Sequence, residues 1–351
     1  MPSIRQIAAR AGYSKSTVSL VMQASSRIPE ATRNHVLAVA RELDYHANPV
    51  FAQMMRSVRK AKPLRTKATI GILHGFAEAR PAQSIPYHAE WMEGARERAM
   101  QLGFATDELW MHAPRMSAQR LSRVILARGI NAVLIAPLPP ECPRVDLDWS
   151  HFAAVTAGYS LIAPRLSRAV PNYQQGVLVC LRQLAARGYR RIGMLIGPSV
   201  DPAARFNLLA PFTWYQQELR AAWRVPLFAT ASGSRRAFDR WRSRHRPEAV
   251  IVATREPFID WLRDGSIRVP ENLGVVCTSG TFGAPDYCCI DHQPRRIGAA
   301  AVDLLVGQVH RGDFGLSANP KTVFTDVAWS EGQSLRVLRA AVAQPSFDFL
   351  A

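Results

Sequence analysis

Two periodicities divide the chain. Over the first 43 residues, apolar positions recur at helical spacing: Ile4, Ile7, Ala8 and Ala11, then Val18, Val21 and Met22, then Val36, Val39, Ala40 and Leu43. Ser3 followed by Gln6 has the form of a capping box, and Ser14 that of a second N-cap. Pro29 and Glu30 open a third helix, with an acid at its positive end. Ala11-Gly12-Tyr13 is then a tight turn between two short amphipathic helices, which is the geometry of a helix-turn-helix. From Ala68 the pattern changes to short apolar runs alternating with helical stretches. Strands are expected over 69–73, 131–135, 153–156, 191–196, 249–253 and 274–277, and helices over 89–102, 175–188 and 214–223. Such alternation predicts parallel sheets with right-handed crossovers, and ligands beyond the C-terminal strand ends.

The split matters because charge follows it. Residues 1–67 hold 12 Lys and Arg against three acids (Glu30, Glu42, Asp44), whereas the whole chain of 351 residues carries +17. More than half of the excess therefore sits in a fifth of the length. A dense basic head on a nearly balanced body is the footprint of a module that binds a polyanion, since each neutralised phosphate releases counterions. The helical apolar spacing in the same stretch argues against a merely solubilising tail.

If Val18, Val21 and Met22 face inward, then Lys15, Ser16, Ser19 and Leu20 face outward from the start of the second helix. Side chains at that end of a recognition helix reach base edges in the major groove. Lys15 can donate to guanine O6 and N7, Ser16 and Ser19 can bond a base or a phosphate, and Leu20 offers only apolar contact, as to a thymine methyl.

Elsewhere the sequence excludes more than it assigns. No apolar run reaches the roughly 18 to 20 residues of a membrane span, and Met1 to Arg5 leads into an amphipathic helix instead of a signal-peptide core, so a cytoplasmic protein with no membrane partner is expected. The five cysteines (Cys142, Cys180, Cys277, Cys288, Cys289) have no zinc-type spacing and are expected to be mostly buried thiols. No P-loop, dinucleotide fingerprint, Ser-His-Asp set or metal constellation can be assembled, so neither a cofactor nor an enzymatic activity is expected.

The run from Ser3 to Ser19, with its Ala11-Gly12-Tyr13-Ser14 and Thr17-Val18-Ser19, resembles the N-terminus of the LacI/GalR family of transcription regulators. The likeness continues through Ile28 to Arg33, Leu43-Asp44-Tyr45 and Asn48 to Met55. It implies an all-α helix-turn-helix head with a hinge helix, joined to an α/β periplasmic-binding-protein-like domain of two parallel-sheet subdomains. Its implied partners are double-stranded operator DNA, bound by a homodimer, and a small-molecule effector. By this resemblance Lys15, Ser16 and Leu20 choose operator bases. The DNA-contacting set is Ser14, Lys15, Ser16, Thr17, Ser19, Leu20, Arg27, Thr32, Tyr45, Asn48 and Met54. Many members have Arg where this chain has Leu20, so operator preference is expected to differ, and Pro29 replaces a common capping Ser. Met54 stands where the family wedges Leu between central base pairs, a task a long apolar side chain can perform.

In the body the resemblance places the effector between two subdomains joined by crossovers near Asn172, His292 and Thr325. The expected contacts are Phe76, Gln175, Arg205, Trp214, Thr254, Arg255 and Ser279. Thr254-Arg255 and Ser279 replace family carboxylates that grip sugar hydroxyls. A carbohydrate remains the family expectation, with an acidic effector held by Arg255 or Arg205 as the alternative. Trp214 could stack on a sugar face or belong to the core. The expected domains are a DNA-binding head over 1–58 with a hinge helix at 48–56, a basic linker over 59–67, an effector-binding and dimerisation domain over 68–345, and a tail over 346–351. The competing organisation is a solute-binding or enzymatic α/β domain fused to a DNA-binding head.

Overall fold

The computed structural model describes residues 4–22, 28–43, 68–76, 86–113, 116–197, 200, 204–229, 234–253, 258–263, 266–280 and 286–338. By its internal contacts the chain divides into two units, 1–66 and 67–351.

The head is built from α1 (Ile4–Ala11), α2 (Lys15–Met22) and α3 (Glu30–Glu42). Gly12 ends α1 at φ +72°, a conformation that costs a residue with a Cβ, and Tyr13 N–H closes the turn on the Ala8 carbonyl at 3.1 Å. Ser14 Oγ accepts the Thr17 N–H at 3.1 Å and so caps α2. Pro29 precedes α3 without any side-chain cap, leaving the acid of Glu30 to favour that helix start. Ile7, Ala8, Ala11, Val18, Val21, Val36, Val39 and Ala40 form the core.

The body contains two six-stranded sheets. The first runs β11-β5-β4-β3-β1-β2, and the second β12-β10-β9-β8-β6-β7. Sheet one comprises β1 (Thr69–His74), β2 (Ala105–Trp110), β3 (Ala132–Ile135), β4 (Ala153–Ala157), β5 (Ser167–Pro171) and β11 (Thr322–Thr325). Sheet two comprises β6 (Ile192–Ile196), β7 (Phe228–Ala229), β8 (Ala249–Ala253), β9 (Gly274–Cys277), β10 (Cys288–Asp291) and β12 (Ala328–Ser330). Every pairing is parallel except β10 with β12. That exception has a simple cause. The chain leaves β11 and turns into β12 within two residues, so β12 starts at the edge where its neighbours end.

The helices are α4 (Pro86–Gln101), α5 (Ala118–Ala127), α6 (Tyr173–Ala186), α7 (Leu209–Glu218), α8 (Arg235–His245), α9 (Phe258–Arg263) and α10 (Pro294–Arg311). The helix expected to reach Trp223 stops at Glu218: Leu219 is extended, and a separate 3₁₀ turn spans Ala221–Trp223. Arg224 secures that stop by donating to the Leu219 carbonyl at 2.9 Å and the Gln217 carbonyl at 2.8 Å, two groups left over at a helix end. Helices α4 and α10 touch backbone to backbone. A Cβ on Gly94 would lie 2.0 Å from the Arg295 carbonyl oxygen, and one on Gly298 2.2 Å from that of Trp91.

Helix α6 packs into the core of sheet two, α10 into that of sheet one. The chain therefore passes between sheets after β5, after β10 and after β11. The three passages are tied together: Asn172 N–H donates to the Thr325 carbonyl at 3.0 Å, and Gln293 Nε2 to the Asp326 carbonyl at 3.0 Å. All five cysteines are free thiols; Cys180, Cys277 and Cys288 are buried, and Cys142 and Cys289 half-buried.

Candidate functional site

The head presents one chemically distinctive surface. Burial of Val18 and Val21 fixes the rotation of α2, so Lys15, Ser16 and Leu20 are exposed and Ser19 is half-buried. Ser14 Oγ lies 2.9 Å from both Ser16 Oγ and Thr17 Oγ1, so the capping hydroxyl organises two hydroxyl neighbours. Leu20, an apolar side chain 36% exposed, has no place in the core. Tyr13 meets His35 edge to face at 6.0 Å, joining the turn to α3, where Thr32 is half-buried in the first turn. Arg27, Tyr45, Asn48 and Met54 lie outside the described residues.

The body's site follows from strand direction. β5 and β11 end where the chain leaves for sheet two, and β10 ends where it leaves for sheet one. The C-terminal strand edges of both sheets therefore face a common seam, the place where open α/β sheets bind ligands. Phe76 follows β1, Tyr159 follows β4, Ser279 follows β9 and His292 follows β10. Thr254 and Arg255, after β8, lie outside the described residues.

A chain of rings lines this seam. Phe76 meets His88 edge to face at 5.5 Å, and Tyr87 contacts His88 at 6.2 Å. Tyr173, at the start of α6, lies 6.2 Å from Tyr159 and 5.1 Å from His292. Arg168, in β5, rests over the Tyr159 ring at 5.7 Å; it is mostly buried, and no carboxylate pairs with it among the described residues. Arg205 is exposed at φ +55° and is close enough for its charge to act on Tyr159 and Arg168.

Burial holds the histidines and tyrosines of the seam in their neutral forms. Burial holds His88 down at about 4, with His74 adding to the effect. Burial also holds His292 at about 4, against the opposing pull of Asp291. Burial pushes the Tyr173 hydroxyl up to about 12, and Tyr87 further upward. Near neutral pH these groups are uncharged hydrogen-bonding partners. Two buried atoms beside them, Gln175 Oε1 and His292 Nδ1, have no hydrogen-bond partner among the described residues. Gln175 is held by its own backbone, whose N–H is accepted by Asn172 Oδ1 at 3.1 Å. Buried polar atoms are normally satisfied, so such orphans mark where a ligand or water supplies the bond.

A cavity of about 270 Å³ adjoins this group, lined by His74, His88, Met92, Arg96, Glu108 and Trp110 among others. There His74 stacks on Trp110 at 4.1 Å, and its Nε2 lies 3.2 Å from Glu108, which Arg96 also contacts. Ser279 is buried. Trp214 instead sits half-buried on α7 against the core of sheet two.

Of the expected effector contacts, Phe76 and Gln175 therefore belong to the seam, with Arg205 at its side. His88, Tyr159, Arg168, Tyr173 and His292 were not foreseen. The usable signal was position: Tyr159, Arg168, Tyr173 and His292 lie within or just after strands that end at the seam, whereas His88 stands in the first turn of α4.

Known proteins match both units. The family model for bacterial regulatory proteins of the lacI family matches residues 3–48, and that for the periplasmic binding protein-like domain matches 181–335. The HTH-type transcriptional repressor PurR of Klebsiella pneumoniae is 27% identical over 334 residues, covering 88% of this chain and 91% of the relative. Its namesake from Photobacterium profundum is 23% identical over 330 residues, covering 88% and 92%. Among solved structures, a transcriptional regulator CelR–cellobiose complex superposes with a TM-score of 0.54 at 20% identity, covering 95% of this chain and all of the other. The Lac repressor dimer bound to operator and the anti-inducer ONPF gives 0.53 at 18% identity, covering 95% and 99%. These structural likenesses establish the fold.

Proposed function

This chain belongs to the lacI family of bacterial regulatory proteins and is a DNA-binding transcription regulator; from that premise we propose that it is a dimeric cytoplasmic repressor, switched by a small molecule. The observation that carries this is the outward face of α2, where a fixed helix rotation leaves Lys15, Ser16 and Leu20 exposed beside a capped turn. In this account Lys15 reads a base edge, Leu20 selects for an apolar neighbour such as a thymine methyl, and Thr17, Arg27, Thr32, Tyr45 and Asn48 help to position the head on the duplex. Two copies on a palindromic operator would pair their 48–56 segments and insert Met54 into the minor groove. An isolated helix of fewer than about 12 residues is marginal in water, so ordering of this segment would draw on binding energy. An effector that separates the paired bodies would then release DNA.

The effector belongs in the seam. Stacking faces at Phe76, His88, Tyr159 and Tyr173, with unsatisfied Gln175 Oε1 and His292 Nδ1, suit a polar ring compound, as a carbohydrate or sugar derivative is. The CelR neighbour is described with cellobiose, which favours the same class. Regulation is the role assigned, because the matched family and the named relatives are those of transcription regulators.

Gel-shift and footprinting on DNA flanking the protein's own gene test the first half. Protection of a two-fold symmetric site supports the proposal, and binding indifferent to sequence contradicts it. A thermal-shift screen of sugars, sugar acids and purines tests the second half, since a ligand at 100 times its Kd adds about 2.7 kcal/mol.

A further inference from the structure

The body's positive charge is not spread over its surface. Beyond residue 67 the chain holds 32 Lys and Arg against 24 acids, yet residues 220–246 alone contain eight arginines and a single acid, Asp239. The other 257 residues of the body are almost neutral, with 24 basic residues against 23 acidic ones. The concentration that marks the head thus occurs a second time, in one segment of 27 residues.

The structure gives this segment a surface. On α8, Phe238 and Trp241 are buried in the core of sheet two, which turns Arg236, Arg240 and Arg244 outward, all three exposed. Spaced four residues apart, they form a stripe about 12 Å long, the axial length of three to four base steps of a duplex. The aspartate of the helix is already engaged: Arg235 Nε meets Asp239 at 3.0 and 3.1 Å. Arg236, Arg240 and Arg244 have no carboxylate partner among the described residues. They line a shallow groove with Arg235, Asp239 and Ser243.

An aromatic element extends the stripe. Arg190 and Arg220 lie over the half-exposed Trp223 ring at 5.0 and 5.5 Å. Arg191 joins this group to the end of α8, donating to the Ala222 carbonyl at 2.7 Å, the Arg246 carbonyl at 3.0 Å and the His245 carbonyl. Unpaired arginines beside an arginine-stacked tryptophan, held by a common backbone clamp, form a built polyanion surface and more than a solvated face.

We propose that this face is a second, sequence-independent contact for the phosphate backbone of duplex DNA, carried by the body and additional to the base-reading helix of the head. A second copy of the chain is a poor occupant, since like stripes repel. Charge complementarity favours a duplex, whose phosphates form a regular array of negative charge along the length of such a stripe.

The test uses the full chain and the triple variant Arg236→Gln, Arg240→Gln, Arg244→Gln, binding a non-operator duplex over a range of salt. Each lost phosphate contact removes about 0.9 from the slope of log K against log salt, so three lower it by nearly 3. Between 50 and 200 mM salt the variant should lose about 40-fold less affinity than the parent. The Lys triple variant should restore most of the slope, and an unchanged thermal midpoint would show that the variant folds. Operator sequence preference should not move, which separates this surface from the head. Equal slopes for parent and Gln variant would overturn the proposal, as would a loss of binding to anionic phospholipid vesicles with duplex binding intact.

Discussion

The head and the seam, the two surfaces proposed for recognition, are made in opposite ways. The head displays side chains on a short helix over a core of eight buried residues, so its chemistry faces solvent and depends on one rotation. The seam gathers uncharged rings and two polar atoms unsatisfied among the described residues, drawn from strand ends and helix starts far apart in sequence. One surface suits a charged, hydrated partner read at its edges; the other suits a small polar ring removed from water. The difference also separates their sensitivities: pH and packing strain should act on the body, and single core deletions on the head.

The largest contrast should appear on acidification. His88 and His292 have pKa values near 4 in the folded body against an ordinary 6.5, so between those values the unfolded chain binds protons that the folded one does not. Stability therefore rises with pH through that window and is lost as pH falls from about 6.5 to about 4. The loss is on the order of 3 kcal/mol for each histidine and levels off below pH 4. Calorimetry from pH 7 to 4 checks this. The head has no buried histidine among its described residues, so a head transition that loses as much over the same window would erase the contrast.

Ile7→Ala should cost about 2–5 kcal/mol, a large share of what a head of eight core residues can hold. DNA binding should disappear while ligand-induced thermal shifts of the body persist, measured on the same preparation. Loss of both would mean that the two units do not fold separately.

Gly298→Ala is the converse experiment. The added Cβ would press on the Trp91 carbonyl where α4 and α10 touch, so about 1–3 kcal/mol of body stability should be lost. The body's melting midpoint should fall and that of the head stay put.

What the sequence made legible follows the same division. Ser14 as a cap and Val18 with Val21 as the inward stripe are local facts, settled within eight residues, and they suffice to orient α2. The strands of high apolar content were equally plain. β5 was not, because Ser167, Arg168 and Pro171 argue against a strand; it is buried by its place between β4 and β11. β2, whose residues are mostly half-buried, and the two-residue β7 are sheet edges that composition hardly marks. The seam was least visible. Tyr159, Arg168, Tyr173 and His292 come from separate segments, and only sheet order and the three passages between sheets bring them together. Trp214, for which the sequence left a ligand face and the core both open, is half-buried against the core of sheet two.

The central claim is that α2 chooses bases through Lys15, and selection from a randomised operator library by the parent and Lys15→Ala tests it most directly. The account predicts that discrimination relaxes by about 1–3 kcal/mol at one position in each half-site, with the remaining positions unchanged. Uniform weakening across all sequences would contradict it and reduce Lys15 to a phosphate contact.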